Sequence, residues 1–262
     1  IQYEGVFWDR RFNDTSDVES RMYAKVSEIE EYLNNNPAKP FISCEYSHAM
    51  GNSNGALHKY TELEDKYQLY QGGFIWDFID QSLMKTAENG ENYLAFGGDY
   101  DDRPTDYNFC VNGLVYGDRK PSPKMQEVKA LFSDFKVKPT LDSVIIKNTS
   151  LFTNLNKYHV KWRVLRDGIS ICSGEPYIFD LQPLTTGEFK LPFALQGIVG
   201  EYIHEVSIVL KEDTLWAEQG HEISFGQYVY SITKTNNPDF NNSLKNSDAK
   251  LLIEDCDINI GI

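Results

Sequence analysis

The sequence predicts an α/β unit followed by an all-β unit, and three observations carry that division. Two apolar runs, Phe41 to Tyr46 and Gly72 to Ile79, flank an amphipathic segment, so strand, helix and strand follow one another. Both runs are apolar throughout, which suits parallel neighbours in an α/β sheet or barrel. From about residue 136 the texture changes to short alternating runs separated by turn signals, which suits an antiparallel β-sandwich.

In chain order, Ile1 to Gly5 reads as a strand already in progress, with no Met and no lead-in. The chain is therefore expected to be a piece of something longer. From Asp17 to Leu33, the residues Val18, Met22, Tyr23, Val26, Ile29 and Leu33 recur at three- and four-residue spacing, which predicts a helix. Pro37 and Pro40 close it off. Phe41 to Tyr46 is of strand length. Gly51 to Gly55 reads as a turn, with Ser53 or Asn54 placed to cap a second helix. Leu57, Tyr60, Leu63, Tyr67 and Tyr70 line one face of that helix, and Gly72 to Ile79 is the second buried strand. Residues 85–123 are loop-rich, and Ser122 to Phe135 resumes a helical pattern.

The second half reads as strands over 144–147, 158–165, 169–172, 177–181 and 202–210, with Phe225 to Ile232 as the last. Arg166-Asp167-Gly168 is a turn signal between two of them. Residues 234–250 have a linker composition, and Leu251 to Ile253 looks like one more strand, which by itself cannot form a domain. The domain reading is thus 1–135, 136–233 and 234–262.

The 262 residues hold 25 Lys and Arg against 39 Asp and Glu, a net charge of −14 that disfavours general affinity for nucleic acid or anionic lipid. No apolar run approaches the ~20 residues of a membrane-spanning helix. Cys44, Cys110, Cys172 and Cys256 form no CxxC pair, so a free-thiol, cytoplasmic protein is the simplest account; one or two disulfides also fit. The 16 Tyr and 15 Phe suit strand packing or the stacking of rings on sugars, and composition favours the packing.

Glu45 sits at the carboxyl end of a predicted buried strand, the end from which α/β barrels project their catalytic side chains. Position by itself is equally compatible with a surface carboxylate. His48 follows three residues later and, taken singly, reads better as a satisfied buried polar group. Trp76 closes the next strand and, taken singly, reads better as core. Tyr3 ends the first predicted strand. Together three strand ends present Tyr3, Glu45 and Trp76: a phenol that can hydrogen-bond a carboxylate, beside an apolar platform. That set suits a glycosidase. Neither a Gly-rich phosphate loop nor a G-x-S-x-G elbow occurs.

The string Cys44-Glu45-Tyr46-Ser47-His48-Ala49-Met50-Gly51-Asn52-Ser53 closely resembles the nucleophile segment of large, LacZ-like bacterial β-galactosidases, glycoside hydrolase family 2. The resemblance continues in Gln71 to Asp77, Phe96 to Asp99, Phe109 to Val115 and Gln2 to Gly5, in the family's order, and more loosely in Trp216 to His221. It implies the last part of a (β/α)8 TIM barrel over 1–135, an immunoglobulin-like sandwich over 136–233, and the first strand of a further β-domain after a linker.

The resemblance also assigns roles. Glu45 looks like the nucleophile, Tyr3 like the tyrosine that hydrogen-bonds it, and His48 like a ligand of galactose hydroxyls. Trp76 looks like the floor of the galactose site. The Phe109 carbonyl and Asn112 resemble ligands of a sodium ion, and Asn112 also a direct sugar contact; oxygen ligands suit a hard cation. The acid/base Glu, the magnesium ligands and the remaining sodium ligand have no counterpart in this chain. What the resemblance implies is therefore a retaining enzyme that hydrolyses β-galactosides such as lactose, with this chain inactive by itself. The expected partners are the rest of the enzyme or a small subunit, and the sheet edges of a partial barrel predict an oligomer or a rearranged barrel. A relative acting on another β-glycoside, such as a glucuronide, and a non-catalytic carbohydrate-binding or interaction module are the alternatives.

Overall fold

The computed structural model of the chain describes residues 1–193 and 198–233. The expected linker, the strand at Leu251–Ile253 and Cys256 lie outside the described residues. The chain divides into two units, Ile1–Asp134 and Phe135–Ile262.

The first unit is built on β1 (Glu19–Met22), α1 (Val26–Asn34), β2 (Phe41–Tyr46), α2 (His58–Lys66) and β3 (Tyr70–Ile75). The three strands form a parallel sheet in the order β1-β2-β3, and each helix is the crossover between neighbours. Ile29 and Leu33 of α1 and Leu63 of α2 are buried with Phe41 and Tyr70, so the apolar faces of both helices close over the strands. The Glu28 carboxylate accepts the Lys25 N–H at 3.0 Å and secures the start of α1. A hairpin of β4 (Leu83–Thr86) and β5 (Asn92–Ala95) comes next, then α3 (Met125–Phe132).

Four expectations for this unit are corrected. Ile1 to Gly5 is no strand: Glu4–Phe7 is a single 3₁₀ turn. Asp17 to Leu33 is not one helix but a strand followed by a helix. Glu-Ser-Arg-Met has little intrinsic strand preference, and Val18 and Met22 fall at helical spacing with the helix that comes after. Pairing with β2 overrides that local pattern. The buried Glu19 is held by Arg10 at 2.7 and 2.9 Å and by Arg21 at 2.7 Å. Burial pushes its pKa up, but these hydrogen bonds outweigh burial and leave it lowered. An apolar-periodicity reading cannot see a buried carboxylate that is paired in this way. Finally, neither Ser53 nor Asn54 caps α2. The Glu127 carboxylate takes the Leu57 N–H at 3.0 Å, while Asn54 Nδ2 donates to the Ser47 carbonyl at 3.1 Å. Tyr70, expected on the helix, opens β3.

The second unit contains β6 (Phe135–Pro139), β7 (Ser143–Asn148), β8 (Tyr158–Arg166), β9 (Ile169–Ser173), β10 (Thr186–Lys190), β11 (Gly200–Leu210) and β12 (Glu222–Ile232). They form two antiparallel sheets, ordered β10-β7-β6 and β12-β11-β8-β9. Phe135, Val144 and Ile146 of one sheet share a core with Val160, Trp162, Val164, Tyr202, Val206 and Ile208 of the other. The period-2 alternation of β8 and β11 puts these residues on the inner faces. Asp167 and Gly168 have φ of 50° and 78° and make the two-residue turn between β8 and β9 that the sequence signalled. Residues 177–181 form no strand; Tyr177 makes an isolated bridge to Val160. The sequence pattern missed β6 and β10, whose outward Lys and Glu residues dilute the apolar signal.

His204 is wholly buried in this core. Its Nδ1–H meets the Thr140 carbonyl at 3.0 Å, its Nε2 accepts from the Tyr230 hydroxyl at 3.2 Å, and its ring stacks on Phe193 at 4.1 Å. Burial lowers its pKa, outweighing the Thr140 bond. The folded value lies below the ~6.5 of an unfolded His, so the unfolded state takes up the proton first as pH falls. The stabilisation is complete above ~6.5 and is lost as pH drops toward the folded value. Urea unfolding of the chain between pH 7.5 and 5 is expected to lose up to ~1.4 kcal/mol per pH unit from this group. His204→Gln should start less stable but lose less with acid. Equal slopes in the two proteins would rule out His204 as the source.

Candidate active site

The carboxyl ends of β1 and β2 meet at Glu45. A register slip between Arg21 and Met22 sets Met22 opposite Glu45, and the Tyr23 N–H then donates to the Glu45 carbonyl at 2.8 Å. Tyr23 and Ser47 both lie in the left-handed region, at φ 53° and 47°, and end their strands on the same rim. Each such residue costs about 1 kcal/mol or more, strain of a kind that gathers at functional sites.

The Tyr23 phenol lies close enough to Glu45 to feel the charge of its carboxylate. Burial first, and then that carboxylate, push the phenol far above its usual pKa, so it stays protonated and able to donate. The His48 ring lies 5.7 Å from the Tyr23 ring and 5.7 Å from the Phe109 ring. Its Nδ1 accepts the Met50 N–H at 3.2 Å, which leaves Nε2 to carry the proton toward a ligand. Trp76 follows β3, and its carbonyl takes the Ala49 N–H at 2.7 Å, tying the loop after Glu45 to the next strand end. The Trp76–Asp77 peptide is cis. Trp76 is 36% and Phe109 55% exposed, so both rings are open to a ligand.

The segment after Trp76 runs beside residues 110–115. The Asp77 N–H donates to the Asn112 carbonyl at 3.1 Å, and the Leu114 N–H to the Asp77 carbonyl at 3.0 Å. A Cβ at Gly113 would fall 2.2 Å from the Asp80 nitrogen, so only glycine allows this approach. Asn112 is fully buried, and its Nδ2 donates to the Phe109 carbonyl at 2.7 Å and to Gln81 Oε1 at 3.1 Å. Its Oδ1 is buried without a partner. Burial and the nearby Asp80 raise the Asp77 pKa, against the opposing effects of His48 and Gln81.

The structure thus brings Glu45, His48, Phe109 and Asn112 together, with Trp76 at the adjoining strand end, but not Tyr3. Tyr3 folds back on its own segment: its ring is edge-on to Phe12 at 6.2 Å, and its hydroxyl lies over Gly5. The tyrosine bonded to Glu45 here is Tyr23, through its backbone N–H. It was hidden inside a run read as helix; recognition of β1 would have put it at a strand end. An orphaned Asn112 Oδ1 and a main-chain carbonyl are the donors a sodium ion takes, so these residues fit one. Among the described residues no three His, Cys, Asp or Glu side chains gather as a metal cluster.

Two family models match the chain: "Glycosyl hydrolases family 2, TIM barrel domain" over residues 1–137 and "Beta-galactosidase, domain 4" over residues 144–231. Over its full length the chain is 50% identical to a β-galactosidase of Halalkalibacterium halodurans and 50% identical to one of Clostridium acetobutylicum. It spans 25% and 28% of those two proteins. Over 52% of the chain it is 53% identical to a β-galactosidase large subunit of Latilactobacillus sakei, covering 22% of that protein.

Proposed function

Because the chain belongs to glycosyl hydrolases family 2, we propose that it carries the nucleophile side of a retaining β-galactosidase site, with lactose and other terminal β-galactosides as substrates. The observation that carries this reading is Glu45 at a strand end, with Tyr23 bonded through its N–H to the Glu45 carbonyl and the His48 ring 5.7 Å from the Tyr23 ring.

In a retaining enzyme two carboxyl groups ~5 to 5.5 Å apart flank the glycosidic bond. Glu45 attacks the anomeric carbon as the bond to the leaving oxygen breaks, and a galactosyl ester forms on it. Water then cleaves that ester and frees Glu45 as a carboxylate. Tyr23 donates a hydrogen bond to the carboxylate form and so eases its departure. His48 holds sugar hydroxyls through Nε2–H, and Trp76 offers the apolar face on which the ring sits. A sodium ion would be held by the Phe109 carbonyl and Asn112 Oδ1, and when bound it would supply positive charge to a sugar hydroxyl. Magnesium is expected to bind elsewhere in the whole enzyme.

The described sheet has three parallel strands, whereas the family's barrel has eight. We assign the acid/base carboxyl to an earlier barrel strand of the whole enzyme, and the large-subunit relatives suggest a small subunit as a further partner. We read the second unit as an immunoglobulin-like sandwich. The free thiols of Cys44, Cys110 and Cys172 agree with a cytoplasmic protein.

The test is hydrolysis of a chromogenic β-galactoside by this chain alone and after addition of the family's missing segments, with sodium and magnesium present. No turnover alone and turnover on addition is the expected result: the edges of β1 and β3 are where added strands would pair. Turnover by the chain alone would place an acid/base within these residues and overturn the assignment.

A further inference from the structure

A carboxylate only accepts hydrogen bonds, whereas an amide has one donating and one accepting end. That difference gives the cluster behind Phe109 a direction. Gln81 Nε2 donates to Asp77 Oδ2. With its nitrogen drawn to Asp77, Gln81 turns its Oε1 the other way, where it accepts from Asn112 Nδ2 at 3.1 Å. The second N–H of the same Asn112 nitrogen goes to the Phe109 carbonyl at 2.7 Å. Both protons of the Asn112 amide are then used, and Oδ1 is left buried with no partner. Turning that amide over would set an oxygen against two acceptors and lose two hydrogen bonds. The backbone holds the relay in place: Asp77 N–H to the Asn112 carbonyl at 3.1 Å, and Gln81 N–H to the Cys110 carbonyl at 3.1 Å.

We propose that Gln81 is a positioning residue: oriented by Asp77, it fixes which end of the Asn112 amide faces the ligand. An unpaired buried acceptor is unfavourable unless something completes it. The ligand that completes it is the galactoside together with the cation that accompanies it, and Gln81 keeps that oxygen presented in advance of binding. This rests on the reading of Asn112 as a ligand contact. Gln81 itself is exposed, and the role proposed for it is to orient Asn112 rather than to bind the ligand.

The test uses the completed enzyme. Binding of a non-hydrolysed thio-β-galactoside is followed by calorimetry, and KM and kcat are measured on a chromogenic β-galactoside. Gln81→Leu is expected to raise both Kd and KM by about 3–10-fold, the worth of one hydrogen bond, while kcat changes less than about twofold. In an Asn112→Asp background both ends of the side chain are oxygen. There the same Gln81 change should cost less than about twofold, which a merely structural role for Gln81 would not produce. Gln81→Met, which keeps the length, replaces the leucine variant if that one folds poorly. An unchanged Kd in Gln81→Leu, or an equal loss in both backgrounds, overturns the proposal. Failure of the underlying reading shows separately: Asn112→Ala would then leave Kd and KM unaltered.

Discussion

Glu45→Gln in the completed enzyme is expected to lower kcat on an aryl β-galactoside by at least ~10⁴-fold, the scale of losing a covalent nucleophile. The substitution keeps the shape of the side chain and the backbone bond from Tyr23 to the Glu45 carbonyl, which sets the strand register. What it removes is the charge and the electron pair that attack the anomeric carbon. A neutral amide neither forms the galactosyl ester nor offsets the positive charge that develops on the ring. Binding of a thio-β-galactoside should change only a few-fold, because the proposed sugar contacts are His48, Trp76 and Asn112. Two measurements check this: steady-state kinetics of the variant, and mass spectrometry of the Glu45 peptide of the unaltered enzyme after reaction with a slow fluorinated galactoside. Labelling on another carboxylate, or more than ~1% residual turnover, would remove Glu45 from the nucleophile's role.

The reason Glu45 was legible and its partner was not lies in the local signals each strand carries. The apolar run of β2 announces a buried parallel strand, so its carboxyl end is easily located. The four residues of β1 contain a buried Glu, and only the guanidinium groups of Arg10 and Arg21 make that burial tolerable. Arg10 reaches Glu19 from outside the strand, and no periodicity reports such a contact. The same holds for the orphaned Oδ1 of Asn112: the sequence motif marks the residue, but the direction of its amide depends on Gln81, 31 positions earlier in the chain. In the second unit, strands with an inner and an outer face were legible from alternation, whereas the short β6 and β10 were not. Their positions are fixed by pairing with β7, a tertiary fact.

The proposed role of Tyr23 beside the proposed nucleophile yields the other large effect. Tyr23→Phe should lower kcat by about 10- to 150-fold, the worth of a hydrogen bond to a charged group, ~1.5–3 kcal/mol. The loss should fall mainly on the second half-reaction. While the galactosyl ester exists, the Glu45 oxygen bears little charge; as water cleaves the ester, charge returns to it and the phenol's donation gains strength. Without that donor the carboxylate is a poorer leaving group, so galactosyl-enzyme accumulates and a burst of the first product precedes the steady state. A purely structural defect would slow both halves and give no burst. The ring is retained in the variant, so its packing beside His48 survives, and the backbone N–H of residue 23 still holds the Glu45 carbonyl. Tyr3→Phe serves as the control. Its hydroxyl lies over Gly5, and its removal should change kcat less than twofold on the ~±0.5 kcal/mol scale of surface substitutions. The reverse outcome, a large loss at Tyr3 and none at Tyr23, would mean that in the assembled barrel the first residues swing back over the rim and displace the phenol that β1 supplies.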